Sequence, residues 1–219
     1  MLIVLASSSP YRKKLFSELG LKFKVVPSSL DENKIKKRVK TPEELVAQLS
    51  LAKTKVVFSK HKTKNLKDFL IIGADSTAAK KTNKDWLFLD KPTTRKEARK
   101  MALFLRGEKH QFLTGLAFTN DKGVSKNTVS TSQVYFNKFP LKNLKNILDK
   151  NVWRGRAGGY DLIENKNDLI KRVKGSYTNI LGLPLEQLIP SLEEFGIKID
   201  NKTKESLFKK YSFKKKGGE

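Results

Sequence analysis

The chain has 219 residues, of which 38% are hydrophobic and 31% charged; 46 basic and 22 acidic side chains give a formal net charge of +24. This is the composition of a globular domain rather than of a disordered chain, and no apolar run approaches the roughly 18 residues of a membrane-spanning helix. The absence of cysteine excludes disulfides, a thiol nucleophile and a thiolate metal site. A single domain over 1–200 is expected, followed by a basic C-terminal tail at 201–219, poorly ordered toward its end. The opening LIVLA is too short for the apolar core of a signal peptide, so a cytoplasmic location is expected. The positive charge fits a lysine-biased surface, the phosphates of a nucleotide, or a nucleic-acid backbone.

LIVLA (2–6), FKVVP (23–27), FLIIGAD (69–75), FLTGLAFT (112–119) and TSQVYF (131–136) read as strands. Residues 9–19 read as a helix with Ser9 as N-cap and Pro10 at its first position. Residues 42–59 repeat Leu45, Leu49, Ala52 and Val56 along one helical face, and Thr41 and Glu44 form a capping box ahead of it. Thr94 and Glu97 repeat that device before a helix that Gly107 ends. Residues 141–149 and 185–195 read as further helices. The turn signal NDKG places an antiparallel hairpin between the strands at 112–119 and 131–136. Strands interleaved with helices, plus this hairpin, predict an α/β fold with a mixed sheet.

Four stretches carry candidate chemistry. In ASSSPYR the backbone N–H groups of a helix N-terminus join the Ser7 and Ser8 hydroxyls and the Arg12 guanidinium, a set suited to phosphate or to ordinary capping. Asp31 and Glu32 are suited to a divalent cation or to a plain loop. IIGADS ends an apolar strand at Asp75, where a carboxylate can hold Mg²⁺, orient a water or simply make a turn. KGSYTNILGLPL (174–185) reads as a strand–turn–helix junction with a second anion-binding turn at Gly175-Ser176. Lys91 and Lys55 are candidate phosphate contacts in a chain rich in lysine. His61 and His110 share no metal-ligand spacing and read as structural or surface residues. No HExxH, GxSxG or GxGxxG occurs, and serine hydrolysis and hydride transfer have no support. No RRM, KH or zinc-finger pattern supports specific nucleic-acid readout.

In order along residues 2–195, these pieces resemble the Maf family of nucleotide pyrophosphatases. LASSSPYRKKLFSELGLKF is similar to the family's LASxSPRRxxLLxxLGxxF, LDEN to its DE, LAKTK to LAxxK, IIGADS to IIGADT and DKP to GKP. LRGEKHQFLTG is similar to LSGxxHxVxTG, QVYF to TxVxF, and GSYTNILGLPL to GSYxNVxGLPL. The resemblance implies a mixed, elongated sheet with two lobes around a cleft, similar to the inosine triphosphate pyrophosphatases. It implies cleavage of a nucleoside triphosphate, ordinary or modified, to monophosphate and pyrophosphate with Mg²⁺ or Mn²⁺. Asp75 is then the catalytic carboxylate, and Glu32, Asp31 and Asp75 the metal-holding set. Ser8, Arg12, Lys55 and Lys91 are then the triphosphate contacts, and Ser7, Tyr11, Ser76, Ile163 and Glu164 complete the substrate-binding set. A homodimer is expected from the family alone.

Three departures bear on the base. Tyr11 stands where the pattern has Arg, and an aromatic there is suited to stacking on a base, as in members acting on methylated guanine nucleotides. Ser76 replaces the Thr of GADT. GRAGGYDLIEN (155–165) stands for DKAGAYGIQG, so Ile163 falls where a base-reading Gln or Glu is expected, with Glu164 beside it. The reading from another class is a nucleic-acid-binding or cell-division regulatory protein on a degenerate pyrophosphatase scaffold, for which the +24 charge and the altered segment at 155–165 are the motives.

Overall fold

LIVLA folds as strand β1 (Leu2–Ala6). Ile3 and Leu5 enter one apolar cluster, while Val4 and Ala6 enter a second on the opposite face. A strand buried on both faces belongs in the middle of a sheet. Accordingly β1 pairs in parallel with β2 (Phe23–Val25) and with β3 (Phe69–Lys81). Beyond β3 lie β5 (Lys109–Asn120), β6 (Ser125–Phe136) and β7 (Ile170–Lys174), all antiparallel, and β4 (Trp86–Phe88) folds back on the end of β3. The seven strands form one mixed sheet in the order β2-β1-β3-β5-β6-β7, with β4 on β3. The predicted hairpin is β5–β6, whose turn holds Gly123 at φ +81°. The structure is a computed structural model describing residues 1–62, 67–163 and 169–212, without the side chains of 61 and 62.

The helices are α1 (Pro10–Ser17), α2 (Asn33–Lys36), α3 (Pro42–Lys62), α4 (Arg95–Leu105), α5 (Leu144–Asp149), α6 (Tyr177–Ile180), α7 (Leu185–Glu194) and α8 (Asn201–Lys210). The predicted caps form: Ser9, Thr41 and Thr94 each accept a backbone N–H three residues on. Gly107, at φ +76°, follows the end of α4. α3 lies so close to the sheet that side chains are excluded beneath it. A Cβ on Gly73 would stand 2.5 Å from the Ser50 carbonyl oxygen, and one on Gly115 would stand 2.2 Å from that of Val46.

Two expectations are corrected here. The strand at 69–75 does not end at Asp75 but continues to Lys81. β1 stops pairing at Ala6↔Gly73, yet β5 goes on pairing with β3 through Ala79↔Gln111 and supplies its hydrogen bonds. Asp75 is therefore mid-strand, at the step where β1 ends. Residues 201–210 are not tail but α8: Asp200 caps it by accepting the Thr203 N–H at 2.8 Å, and Leu207 is buried in the main core. The Tyr211 hydroxyl then donates to Glu18 at 2.9 Å. Residues 213–219 lie outside the described residues.

His110 is structural, as expected. It is buried, with Nε2 3.0 Å from the Tyr160 hydroxyl. Burial, and less so the charge of Lys80, pushes its pKa down to about 3, so the ring is neutral. The side chain of His61 lies outside the described residues.

Candidate active site

The step at the end of β1 opens a cleft of about 1120 Å³. Its floor is the β1–α1 turn. Ser9 caps α1, accepting the Arg12 N–H at 3.4 Å, while the Ser9 N–H donates to the Ser7 hydroxyl at 3.2 Å. This leaves the Ser8 side chain exposed at the N-terminal end of α1, lining the cleft. Arg12, one turn in, is held from three sides. Its Nε donates to the Gly182 carbonyl at 2.7 Å, and its terminal nitrogens donate to Ser76 Oγ at 2.8 Å and Ser7 Oγ at 3.3 Å. Burial lowers the Arg12 pKa, and the charges of Asp75 and Glu32 oppose that shift; a guanidinium stays charged through it. Ser76 is fixed in turn by Thr114 Oγ1 at 2.8 Å on β5, its cross-strand partner.

Beside Arg12 stands a carboxylate–ammonium cluster. Lys53 Nζ, on α3, donates to Asp75 Oδ1 at 2.5 Å and to Glu32 Oε1 at 2.9 Å. Lys36 reaches Glu32 Oε2 at 3.2 Å. Lys53 and Asp75 are only 12% and 13% exposed, so their attraction is weakly screened. Burial raises the Glu32 pKa, but the hydrogen bonds and charges of Lys53 and Lys36 outweigh it and hold the group below its ordinary value.

On the other wall, α1 is tied to the loop at 151–163. Asp161, 2% exposed, accepts the Tyr11 hydroxyl at 2.5 Å and the Arg156 guanidinium at 2.6 Å on Oδ2, and the Ile163 N–H at 2.7 Å on Oδ1. The guanidinium also stands 5.3 Å from the centre of the Tyr11 ring. One face of that ring is therefore covered by Arg156. Burial and the hydrogen bond to Asp161 raise the Tyr11 pKa, so the phenol is protonated and donates at neutral pH. Tyr11→Phe removes one donor from a buried carboxylate, and a stability loss of about 1.5–3 kcal/mol is expected by urea unfolding. An unchanged unfolding midpoint would show that the other partners of Asp161 hold it without the Tyr11 phenol.

A family profile described as Maf-like protein matches residues 2–195. The chain belongs to the Maf family. It is 32% identical over 195 residues to the dTTP/UTP pyrophosphatase of Syntrophus aciditrophicus, covering 89% of this chain and 90% of that one. The dTTP/UTP pyrophosphatase of Pelotomaculum thermopropionicum is 33% identical over 199 residues, covering 90% of this chain and 98% of that one. Among solved structures, a HAM1 protein from Coxiella burnetii overlaps loosely, with TM-score 0.49 and 16% identity over 89% of this chain and 99% of that one.

In this Maf chain the cleft gathers Ser7, Ser8, Tyr11, Arg12, Glu32, Asp75, Ser76 and Lys91 from the residues singled out in the sequence. Lys55 is not brought in: it is exposed and does not line the cleft. Lys53 lines it instead. Two residues of helix turn the side chain by about 200°, to the opposite face. The face of α3 against the sheet buries Leu45, Val46, Leu49, Ser50, Thr54 and Val57, a stripe offset from the one drawn through Ala52 and Val56. The signal for Lys53 was its place three residues after Ser50 and four after Leu49, a lysine inside a buried stripe. Asp31 is exposed and outside the cleft lining; its Oδ1 accepts the Asn33 N–H at 3.1 Å. Ile163 is 43% exposed and also outside the lining, and Glu164 lies outside the described residues. The turn at Gly175-Ser176 is no anion site. Ser176 caps α6, and its hydroxyl donates to the Glu186 carboxylate at 2.6 Å.

Proposed function

We propose that this chain hydrolyses dTTP or UTP to the monophosphate and pyrophosphate, with Mg²⁺ or Mn²⁺. The observation that carries the reading is the Asp75–Lys53–Glu32 cluster set beside Arg12 and the N-terminus of α1 in one cleft. The names of its relatives, matched over about nine-tenths of either chain, supply the substrate class.

The residues have separate tasks. The end of α1, with Ser8 and Arg12, receives phosphate oxygens through N–H, hydroxyl and guanidinium donors. Lys53 and Lys91 add ammonium charge toward a group carrying about four negative charges. Asp75 orients a water whose oxygen bonds to phosphorus at the α–β bridge while the bond to the bridging oxygen breaks. The bridging oxygen leaves with pyrophosphate, and the proton of the water passes to the Asp75 carboxylate. Tyr11, pinned by Asp161 and Arg156, forms the wall beside this site, with one ring face turned away from Arg156.

The cluster fits a divalent cation. Two carboxylates converge on one positive nitrogen, and their hard oxygens suit Mg²⁺ or Mn²⁺. Among the described residues no third His, Cys, Asp or Glu joins them, so the remaining positions would fall to water and phosphate oxygens. Glu32 and Asp75 would hold the ion, which when bound neutralises charge on the phosphates.

The test is pyrophosphate release from a panel of ordinary and modified nucleoside triphosphates, with Mg²⁺ or Mn²⁺ and with excess EDTA. Release from dTTP and UTP, abolished by EDTA, is the expected result. No release from any triphosphate, together with salt-sensitive binding of DNA or RNA, would replace this reading with the nucleic-acid one. Release from a methylated guanine nucleotide alone would keep the reaction and overturn the pyrimidine assignment.

A further inference from the structure

The turn that follows α5 is anchored by contacts of its own residues. Asn151 and Gly155 adopt left-handed φ values of +54° and +70°. Between them Trp153 is 2% exposed, and its indole N–H donates to the Leu148 carbonyl at 3.1 Å. The same loop docks on the segment carrying Lys91, with the Gly158 N–H donating to the Leu89 carbonyl at 2.8 Å. Arg154, next to the anchored tryptophan, is exposed and lines the cleft. Its guanidinium lies 4.5 Å from the centre of the Trp153 ring.

Arg154 differs from the other arginines of the site in its partners. Arg12 is engaged by Ser7, Ser76 and Gly182, and Arg156 by Asp161 and the Val152 carbonyl. Among the described residues no carboxylate pairs with Arg154. A cation stacked on an indole is already restrained, so little side-chain entropy is lost when it meets an anion. Its planar fork of donors matches two oxygens of one phosphate.

We infer that Arg154 is a substrate-binding residue whose guanidinium contacts the polyphosphate chain of the nucleotide at the rim shared with Lys91. This rests on the pyrophosphatase reading above. The contact belongs to the phosphates rather than to the base, so the pyrophosphate product shares it.

The experiment is steady-state hydrolysis of dTTP by wild type, Arg154→Ala, Arg154→Lys and Lys122→Ala, with inorganic pyrophosphate as product inhibitor. Lys122→Ala removes a charge at the β5–β6 turn, away from the cleft, and serves as the control for net charge. Arg154→Ala is expected to raise KM about tenfold, leave kcat within about twofold and raise the inhibition constant of pyrophosphate in step. Arg154→Lys recovers part of the loss, because an ammonium keeps the charge but not the fork. An Arg154→Ala enzyme with the KM of wild type overturns the inference. So does a raised KM with unchanged pyrophosphate inhibition, which places Arg154 on the base. An equal rise in Lys122→Ala overturns it as a bulk charge effect. Wild type that releases no pyrophosphate overturns the pyrophosphatase reading, and this inference with it. Arg154 is exposed, so the variants are expected to keep the unfolding midpoint of wild type.

Discussion

Asp75→Asn is expected to lower kcat about 10²- to 10⁴-fold, the range for losing a positioned proton acceptor. The fold should survive. Lys53 keeps its 2.9 Å contact to Glu32, and the amide oxygen of Asn can still accept from the ammonium, so no buried charge is orphaned. Thermal unfolding within a few degrees of wild type would confirm that the loss is chemical. A second comparison separates roles. Near-wild-type nucleotide affinity by calorimetry in Asp75→Asn, with turnover collapsed, assigns the loss to the water; a weakened affinity in the presence of Mg²⁺ assigns it to the ion that Asp75 and Glu32 would hold. Turnover near that of wild type would remove Asp75 from the reaction. Asp90→Asn, another carboxylate in the cleft lining, is expected to change kcat little.

Among the described glycines, Gly115→Ala is expected to be the most damaging change to alanine. Its Cβ would stand 2.2 Å from the Val46 carbonyl oxygen and 3.0 Å from Ser50 Oγ. The nearest obstacle is helix backbone, which cannot rotate aside as a long side chain can. Overpacking of this kind costs about 1–3 kcal/mol or more, because α3 must shift as a unit. That shift reaches the site, since α3 carries Lys53 against Asp75. Misplacement of a catalytic group by about 1 Å can cost about 10²-fold in rate. Both a lower urea midpoint and a lower kcat are therefore expected. Gly20→Ala, with nothing within 4 Å of the new methyl, is the contrast. It carries only the strain of its left-handed φ and should leave kcat alone. A Gly115→Ala protein with the midpoint and kcat of wild type would show that α3 has slack which the close approach denies.

Much of the site was legible because its parts are local. The β1–α1 turn follows from an apolar strand, a serine cap and a proline at the first helical position, all within ten residues. The start of α3 follows from Thr41 and Glu44, and the hairpin from NDKG. Such features are set by φ preferences and by hydrogen bonds over three or four residues, which a sequence displays directly. The ordered motifs then supplied Asp75, Glu32 and Arg12.

What was misread depended on distant partners. The phase of α3 looked like Leu45, Leu49, Ala52 and Val56 because apolar residues outnumber the small polar ones. The sheet offered Gly73 and Gly115, and the helix turned Ser50 and Thr54 onto them, which carried Lys53 into the cleft and Lys55 out to solvent. β3 ran past Asp75 because β5 kept pairing with it, a fact held in residues about 40 positions away. Residues 201–210 became α8 because Leu207 found the main core. The tie from Tyr11 to Asp161 spans 150 positions. The α/β class and the serine-capped turn ahead of α1 were readable in the residues, since strand and helix patterns and caps are short-range features, whereas the candidate role of Asp75 came from the resemblance of the ordered motifs. Only the tertiary structure decided which lysine meets that carboxylate and which wall holds Tyr11, since both depend on how closely one element packs on another.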